Sequence, residues 1–156
     1  MVLINNTAEE ILETWIYPEV AVNRVVENQI LPLSVMEQMQ EENSYVQPLG
    51  LYAPAGTIIQ DLIPYIHLAS LVLIDFPKFR DGRGFTLARN LREQAYFQKD
   101  IRARGHLIPD QFPALVKCGF TSFMLPTEHP REQWLAALQS NVVEKKQPLL
   151  KRLLKN

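Results

Sequence analysis

The alternation of apolar and polar positions changes character near residue 49. From there on, short apolar runs typical of buried strands alternate with segments whose apolar residues recur at helical spacing. The predicted strands begin near residues 49, 71, 101 and 121. The predicted helices cover residues 57–66, 86–97, 109–118 and 130–138. Residues 71–76 are the best strand candidate, because a continuous apolar run is expected of a strand covered on both faces.

Strand and helix alternate four times, which predicts an α/β fold with a parallel sheet built from right-handed βα units. The pattern fits an open doubly wound sheet and a half barrel equally well. A mostly helical segment is predicted before this core, with one helix at 9–17 and a second, capped by Ser34, that runs to about residue 42. We expect a single domain over residues 1–156, divided into an N-terminal segment (1–48), a βα core (49–140) and a tail (141–156).

Composition limits the class of protein. With 47% hydrophobic and 21% charged residues, the 156-residue chain is expected to form a folded core. Its single cysteine excludes a disulfide framework and zinc sites built on paired cysteines. No apolar stretch approaches the roughly 20 residues that span a bilayer, and the residues after Met1 do not form a secretory signal. We therefore expect a cytoplasmic protein without a membrane partner.

The net charge of −1 conceals an uneven distribution. Residues 1–50 carry eight acidic side chains against one basic side chain, whereas residues 78–104 carry eight basic against three acidic, and residues 144–156 are again basic. Such asymmetry can steer an anion towards one part of the surface. It is explained equally well by acidic and basic regions that face each other within the chain or across a dimer.

One predicted loop, residues 76–86, carries most of the candidate chemistry. It joins the best strand to a helix, where ligands of parallel sheets bind. Gly82 and Gly84 would let the backbone approach an anion, and the helix start would supply N–H groups. Lys78 and Arg83 would add charge-assisted bonds. The full set of predicted ligand-binding residues is Lys78, Asp81, Gly82, Arg83, Gly84, His106 and Asp110.

A purely structural interpretation of the same loop stays open. Asp81-Gly82 is a common turn dipeptide, Gly84 can simply clear space before the helix, and Asp75 or Asp81 can pair with nearby arginines. The loop matches neither a Walker motif nor a dinucleotide-binding motif, so no cofactor is identified.

His106 and Asp110 follow the next predicted strand, where an acid–base pair would reach the same crevice. The alternative, which we favour, is that Asp110 stabilises the start of a helix. The three histidines lack the spacing of metal ligands, and Cys118 is expected to be a buried structural residue. The tail predicts an amphipathic helix that docks on a partner subunit or on its own domain, and its basic face is too short to predict nucleic-acid binding.

The most distinctive order of residues lies between positions 76 and 93. It comprises FPKF at 76–79, DGRGF at 81–85, AR at 88–89 and LRE at 91–93. Together with RA at 102–103, DQF at 110–112 and CGF at 118–120, these motifs resemble a bacterial domain-of-unknown-function family over roughly residues 71–125. The chain departs from the family pattern at His106, where an acidic residue is usual, and at Pro109, where a basic one is usual.

The resemblance implies an auxiliary, oxidoreductase-associated component of assimilatory sulfite and sulfate reduction, because members are typically encoded beside those genes. It brings no established catalytic residue. Two functions are therefore expected: an accessory protein that binds sulfite, sulfate or a phosphate group at the 76–86 loop, and a non-catalytic homodimeric scaffold for sulfite reductase subunits. An independent flavin or nicotinamide oxidoreductase has no fingerprint in the sequence.

Overall fold

A computed structural model describes residues 2–22 and 24–140 of the chain. It contains six strands in one sheet: β1 (Val2–Asn5), β2 (Gln29–Leu31), β3 (Leu49–Ala53), β4 (Ala69–Phe76), β5 (Asp100–Gly105) and β6 (Ser122–Leu125). The helices are α1 (Leu33–Glu42), α2 (Ile59–Leu62), α3 (Gly82–Glu93), α4 (Phe112–Cys118) and α5 (131–140). Single 3₁₀ turns at Ile66–Leu68 and Pro109–Gln111 precede β4 and α4.

The sheet is mostly parallel, with the order β1-β6-β5-β4-β3-β2. Strands β2 to β6 are parallel neighbours in chain order, and only β1 is antiparallel to its neighbour β6. Right-handed crossovers between successive neighbours place their helices on the same face of the sheet. This confirms the α/β fold with a sheet of mostly parallel strands. The doubly wound alternative is wrong for the described strands, because their order does not reverse, and the parallel strands number five instead of four.

One face of the sheet carries the main core. Val72, Ile74 and Phe76 of β4 point towards the helices and pack with residues of every helix from α1 to α5. Trp134 of α5 is completely buried there, 5.6 Å from the ring of Phe112, and its indole N–H donates to the His129 carbonyl. Burial of such large apolar side chains supplies most of the stability of a small domain.

The opposite face is covered by an extended segment, residues 9–20, which we call the strap. Glu10 bridges to β1 at one edge of the sheet, and Ile16 bridges to β2 at the other edge. Trp15 and Tyr17 pack on a small apolar cluster of the sheet that includes Leu71 and Leu73. The helix predicted over 9–17 is therefore wrong: backbone pairing with both edges and burial of this cluster favour an extended chain over the local helical pattern.

Other differences lie at the ends of elements. The helix predicted at 86–97 begins at Gly82, since Asp81 caps it, and the helix predicted at 57–66 is reduced to Ile59–Leu62 before Pro64. Strand β5 ends at Gly105, because a φ of +112° cannot continue an extended strand. The N-cap of α1 is Pro32 and not Ser34. The prediction that Gly119 ends α4 is confirmed by its left-handed φ of +113°.

The prediction for residues 141–156 lies outside the described residues. Within 2–22 and 24–140, no helix combines the length and the apolar character needed to cross a membrane.

Candidate functional site

A cleft opens between the beginning of α2 and the exposed side of α3. We call it the α2–α3 cleft, and its volume is about 630 Å³. It is lined by Gly56, Thr57, Ile58, Ile59, Gln60, Gly82, Arg83, Thr86, Leu87, Asn90 and Gln94. The loop after β3 forms one wall, because its strand end lies beside that of β4 in the sheet. The cleft therefore combines two neighbouring loops at the carboxyl edge of the parallel strands.

Arg83 is held at this cleft by Asp81. The Arg83 Nε and Nη2 atoms donate to the two carboxylate oxygens of Asp81 at 2.9 and 2.8 Å, while the Arg83 backbone N–H donates to Asp81 at 3.1 Å. These bonds hold the pKa of the Asp81 carboxyl below its usual value. The Arg83 side chain remains 63% exposed. Its charge is thus paired with that of Asp81, and the pair holds the guanidinium beside the cleft.

The two glycines of this loop have different environments. A Cβ atom at Gly82 would meet nothing within 4 Å, whereas one at Gly84 would lie 2.5 Å from the Phe76 ring. Gly84 is therefore required by the packing of α3 on β4, and its backbone is buried inside the helix. On the opposite wall, Gly56 has a φ of +90°, and a Cβ there would lie 3.3 Å from Arg83 Nη1. Gly56 brings the loop after β3 close to the guanidinium.

The remaining predicted site residues do not line this cleft. Lys78 is exposed on the loop before α3, and His106 packs edge-on against the Phe79 ring at 5.5 Å. Asp110 lines a second cleft of about 830 Å³, formed with His129 and residues of α5. His106 and Asp110 therefore do not line the cleft that contains Arg83. Of the seven predicted residues, the structure brings only Gly82 and Arg83 into the α2–α3 cleft.

The chemistry available in the α2–α3 cleft is binding chemistry. Among its described lining residues, Arg83 alone is ionisable, and the other polar groups are hydroxyls and amides. Such a set donates hydrogen bonds to an anion, but it contains no group that titrates near neutral pH and could act as a general base. Elsewhere in the described part of the chain, no three His, Cys, Asp or Glu side chains converge as metal ligands.

A second polar cluster lies on the strap side of the sheet, and we did not predict it from the sequence. Arg104 of β5 donates to both carboxylate oxygens of Asp75 at 2.7 and 2.9 Å and pairs with Glu19 of the strap at 2.7 Å. The rings of Tyr17 and Tyr52 both lie near its guanidinium, with their centroids 5.7 and 5.5 Å from Arg104 Cζ. The carboxylates that surround Arg104 raise the pKa of its guanidinium. The Arg104 guanidinium is thus surrounded by two carboxylates and two aromatic rings of the same chain.

Arg102, two residues earlier on the same face of β5, anchors the strap in a similar way. It is buried, donates to the Ser122 hydroxyl at 2.8 Å, and pairs with Glu13 of the strap at 3.1 Å. Tyr17 donates to Glu13 and accepts from Arg102, and burial raises the pKa of its phenol. The available signal was the alternation of charged and apolar residues from Asp100 to Arg104, which indicates a strand with one polar face.

A family model described as "Bacterial protein of unknown function (DUF934)" matches residues 50–148, which is more than half of the chain. The chain belongs to this family. The family's description names no activity, and no curated protein has significant similarity to the chain.

The region that matches the DUF934 model contains the first polar cluster completely and the second only in part. It contains every residue that lines the α2–α3 cleft, from Gly56 to Gln94. It excludes the strap and therefore Glu13, Tyr17 and Glu19, which complete the cluster around Arg102 and Arg104. The DUF934 region thus contains all the lining residues of the α2–α3 cleft and of the second cleft, but only part of the cluster around Arg102 and Arg104.

Proposed function

We propose that this DUF934 protein is a cytoplasmic auxiliary component of sulfite reduction in sulfur assimilation, and that it binds a small anion or an anionic group at Arg83. The exposed guanidinium of Arg83, fixed at the α2–α3 cleft, is the observation that carries the proposal. The link to sulfite reduction rests on the resemblance of residues 76–93 to a family encoded beside those genes.

An oxyanion such as sulfite, sulfate or phosphate suits this position. Arginine donors bind tetrahedral and pyramidal oxyanions through short charge-assisted bonds. Asp81 occupies Nε and Nη2 of Arg83, and Nη1 faces the loop that contains Gly56. The hydroxyls of Thr57 and Thr86 line the same cleft and supply further polar contacts. An anion at Nη1 would bind the guanidinium nitrogen that does not donate to Asp81.

An auxiliary binding role fits the cleft better than catalysis, because its described lining residues include no candidate for proton transfer. Lys78, His106 and Asp110 lie on other parts of the carboxyl edge and have no role in this proposal. The cleft would hold or present an anion to another protein, such as a sulfite reductase subunit.

Isothermal titration calorimetry with sulfite, sulfate and phosphate tests the anion-binding part of the proposal. We expect binding by the wild type and a loss of about tenfold or more in affinity for Arg83→Ala, since a charge-assisted bond is removed. Arg89→Ala is the matched control, because Arg89 lies on the same helix but contacts Cys118 instead of the cleft. Absence of binding by the wild type, or equal binding by Arg83→Ala, contradicts the proposal.

A scaffold function is favoured by a different observation. Three apolar side chains in and next to the strap are exposed: Leu12 at 88%, Val20 at 53% and Val22 at 39%. The scaffold function would use these exposed apolar side chains as a protein–protein contact surface. Size-exclusion chromatography with light scattering and co-purification with sulfite reductase subunits test this second candidate. Monomeric protein that retains no subunit, with Leu12→Glu behaving identically, excludes it.

A further inference from the structure

The α2–α3 cleft is much larger than an inorganic oxyanion. Its volume is about 630 Å³. An oxyanion with four or five heavy atoms occupies on the order of 100–150 Å³, if each atom takes about the volume of a water molecule. Sites for organic ligands have volumes of about 300–1,000 Å³. The cleft therefore has the size of an organic ligand site, with Arg83 at only one part of its wall.

The residues of α3 that line the cleft follow one face of the helix. Arg83, Thr86 and Asn90, together with Gln94 at the C-cap of the helix, are spaced three or four positions apart, so they lie in a row. With a rise of about 1.5 Å per residue, Arg83 and Asn90 are about 10 Å apart along the helix. The row begins with a cation and ends with neutral amides. A ligand that uses its whole length would have an anionic group at one end and a neutral polar group at the other.

The cleft also has an apolar lining. Ile58 supplies its exposed apolar side chain on the wall opposite α3, whereas Leu87 of α3 is only 3% exposed and belongs to the core beneath. Ile58 is 55% exposed, so its side chain is available for contact with a ligand. An inorganic oxyanion at Arg83 would leave Ile58 in water, whereas an aromatic or aliphatic body would cover it.

We infer that the ligand of the α2–α3 cleft is an organic anion, with one sulfonate, carboxylate or phosphate group on an apolar body about 10 Å long. The inference rests on the proposed anion-binding function and specifies its ligand class. The anionic group binds Arg83, the body packs against the exposed Ile58, and the amides of Asn90 and Gln94 bind polar groups at the far end. Free sulfite and sulfate then bind the same arginine more weakly than the organic anion.

Fluorescence titration with 1-anilinonaphthalene-8-sulfonate, an aromatic sulfonate of suitable size, tests the inference. We expect saturable binding by the wild type, a loss of about tenfold or more for Arg83→Ala, and a loss of about threefold or more for Ile58→Gln. Ile63→Gln is the matched control: Ile63 is 48% exposed near the end of α2 but does not line the cleft. N-phenyl-1-naphthylamine, which lacks the sulfonate, should bind the wild type about tenfold or more weakly than the sulfonate.

Urea unfolding curves of each variant separate loss of the cleft from loss of the fold, because the dye also binds partly unfolded chains. Equal dye affinity in the wild type and the folded Ile58→Gln variant, or an equal loss in Ile63→Gln, overturns the inference. If phosphate and sulfate bind in an Arg83-dependent way while the dye does not, the proposed function stands and the organic ligand class is wrong. If neither binding depends on Arg83, both are wrong.

Discussion

Asp81 has two tasks at the start of α3. Its carboxylate accepts the Arg83 backbone N–H as a helix cap, and it accepts two further bonds from the Arg83 side chain. The first task stabilises the helix by about 1 kcal/mol in typical proteins. The second holds the guanidinium at the cleft but also neutralises part of the charge that would attract an anion. The two tasks can be separated by substitution.

The Asp81→Asn variant is expected to keep the cap and lose the charge. Asparagine caps helices about as well as aspartate, so the free energy of unfolding should change by less than about 1 kcal/mol. Removal of the neighbouring negative charge should raise the affinity of Arg83 for phosphate by about two- to fivefold. Calorimetric titration measures this, with Asp110→Asn as the control from the second cleft. Weaker phosphate binding by Asp81→Asn would show instead that the ion pair is needed to position Arg83.

The glycines at positions 82 and 84 should respond oppositely to alanine. Gly84→Ala places a Cβ 2.5 Å from the Phe76 ring and should lower the free energy of unfolding by about 1–3 kcal/mol. Gly82→Ala meets no atom within 4 Å and should raise it by about 0.4–1 kcal/mol, because the unfolded chain loses conformational freedom. Urea unfolding of both variants tests the difference. A stable Gly84→Ala variant would contradict the packing of α3 on β4.

Among the elements, the strap depends most on electrostatics. Its backbone pairs with the sheet at Ile11, whose N–H donates to Leu3 at 2.9 Å, and at Ile16, whose N–H donates to Asn28 at 2.7 Å. Glu13, which lies between these two points, binds Arg102, and Glu19, which lies beyond them, binds Arg104. The apolar cluster beneath the strap is small. The strap should therefore open more readily than the helical layer.

The attachment of the strap should weaken in acid. The hydrogen bond from Arg104 holds the pKa of Glu19 below its usual value of 4.5, so the ion pair contributes fully above pH 4.5 and is lost as the pH falls through the lower folded-state pKa. At neutral pH, Glu19→Gln should speed amide exchange in the strap by up to about fivefold relative to the wild type. The difference should shrink progressively below pH 4.5. Glu41→Gln, an exposed position on α1, should match the wild type at every pH.

Elements that are determined by neighbouring residues could be predicted from the sequence, and elements that depend on distant contacts could not. Strands β3 and β4 and the end of α4 were predicted because a buried apolar run and a glycine in the left-handed region are local signals. The extended form of the strap was not predicted, because it depends on pairing with two distant edges of the sheet. For the site, Arg83 and Gly82 were predicted from the loop composition, whereas Gly56 and Ile58 were missed because they adjoin Arg83 only through the pairing of β3 with β4.

At the scale of the whole molecule, the two faces of the sheet differ in how they are stabilised. The helical face is a continuous apolar core that includes Trp134, while the strap face has a few apolar residues and a network of arginines and carboxylates. Ion pairs join the acidic N-terminal region to the basic region of β5 within the chain, as one of the two interpretations of the charge pattern requires. Arg102 and Arg104 thereby pair with carboxylates of the same chain.

Substitution of the two tryptophans, one on each face of the sheet, should show this difference in stability. Trp134 is completely buried, so Trp134→Ala should lower the free energy of unfolding by about 3–5 kcal/mol. Trp15 is half-buried and belongs to the strap, so Trp15→Ala should lower the free energy of unfolding by less than about 2 kcal/mol. Its main effect should be faster amide exchange in the strap. Urea unfolding together with hydrogen exchange checks both. Equal global destabilisation by the two variants would show that the strap and the helical layer unfold as one unit.

Binding of an anion at Arg83 is best located by a two-dimensional ¹H–¹⁵N NMR titration of the wild-type protein with phosphate. We predict that the largest shifts occur at the Arg83 Nε–H and at the backbone amides of Gly56 and Thr57, which lie on the two walls of the cleft. The same titration of Arg83→Ala should leave the Gly56 and Thr57 amides unchanged. Shifts confined to His106 and Asp110, or no shifts in the wild type at all, would contradict an anion site in the α2–α3 cleft.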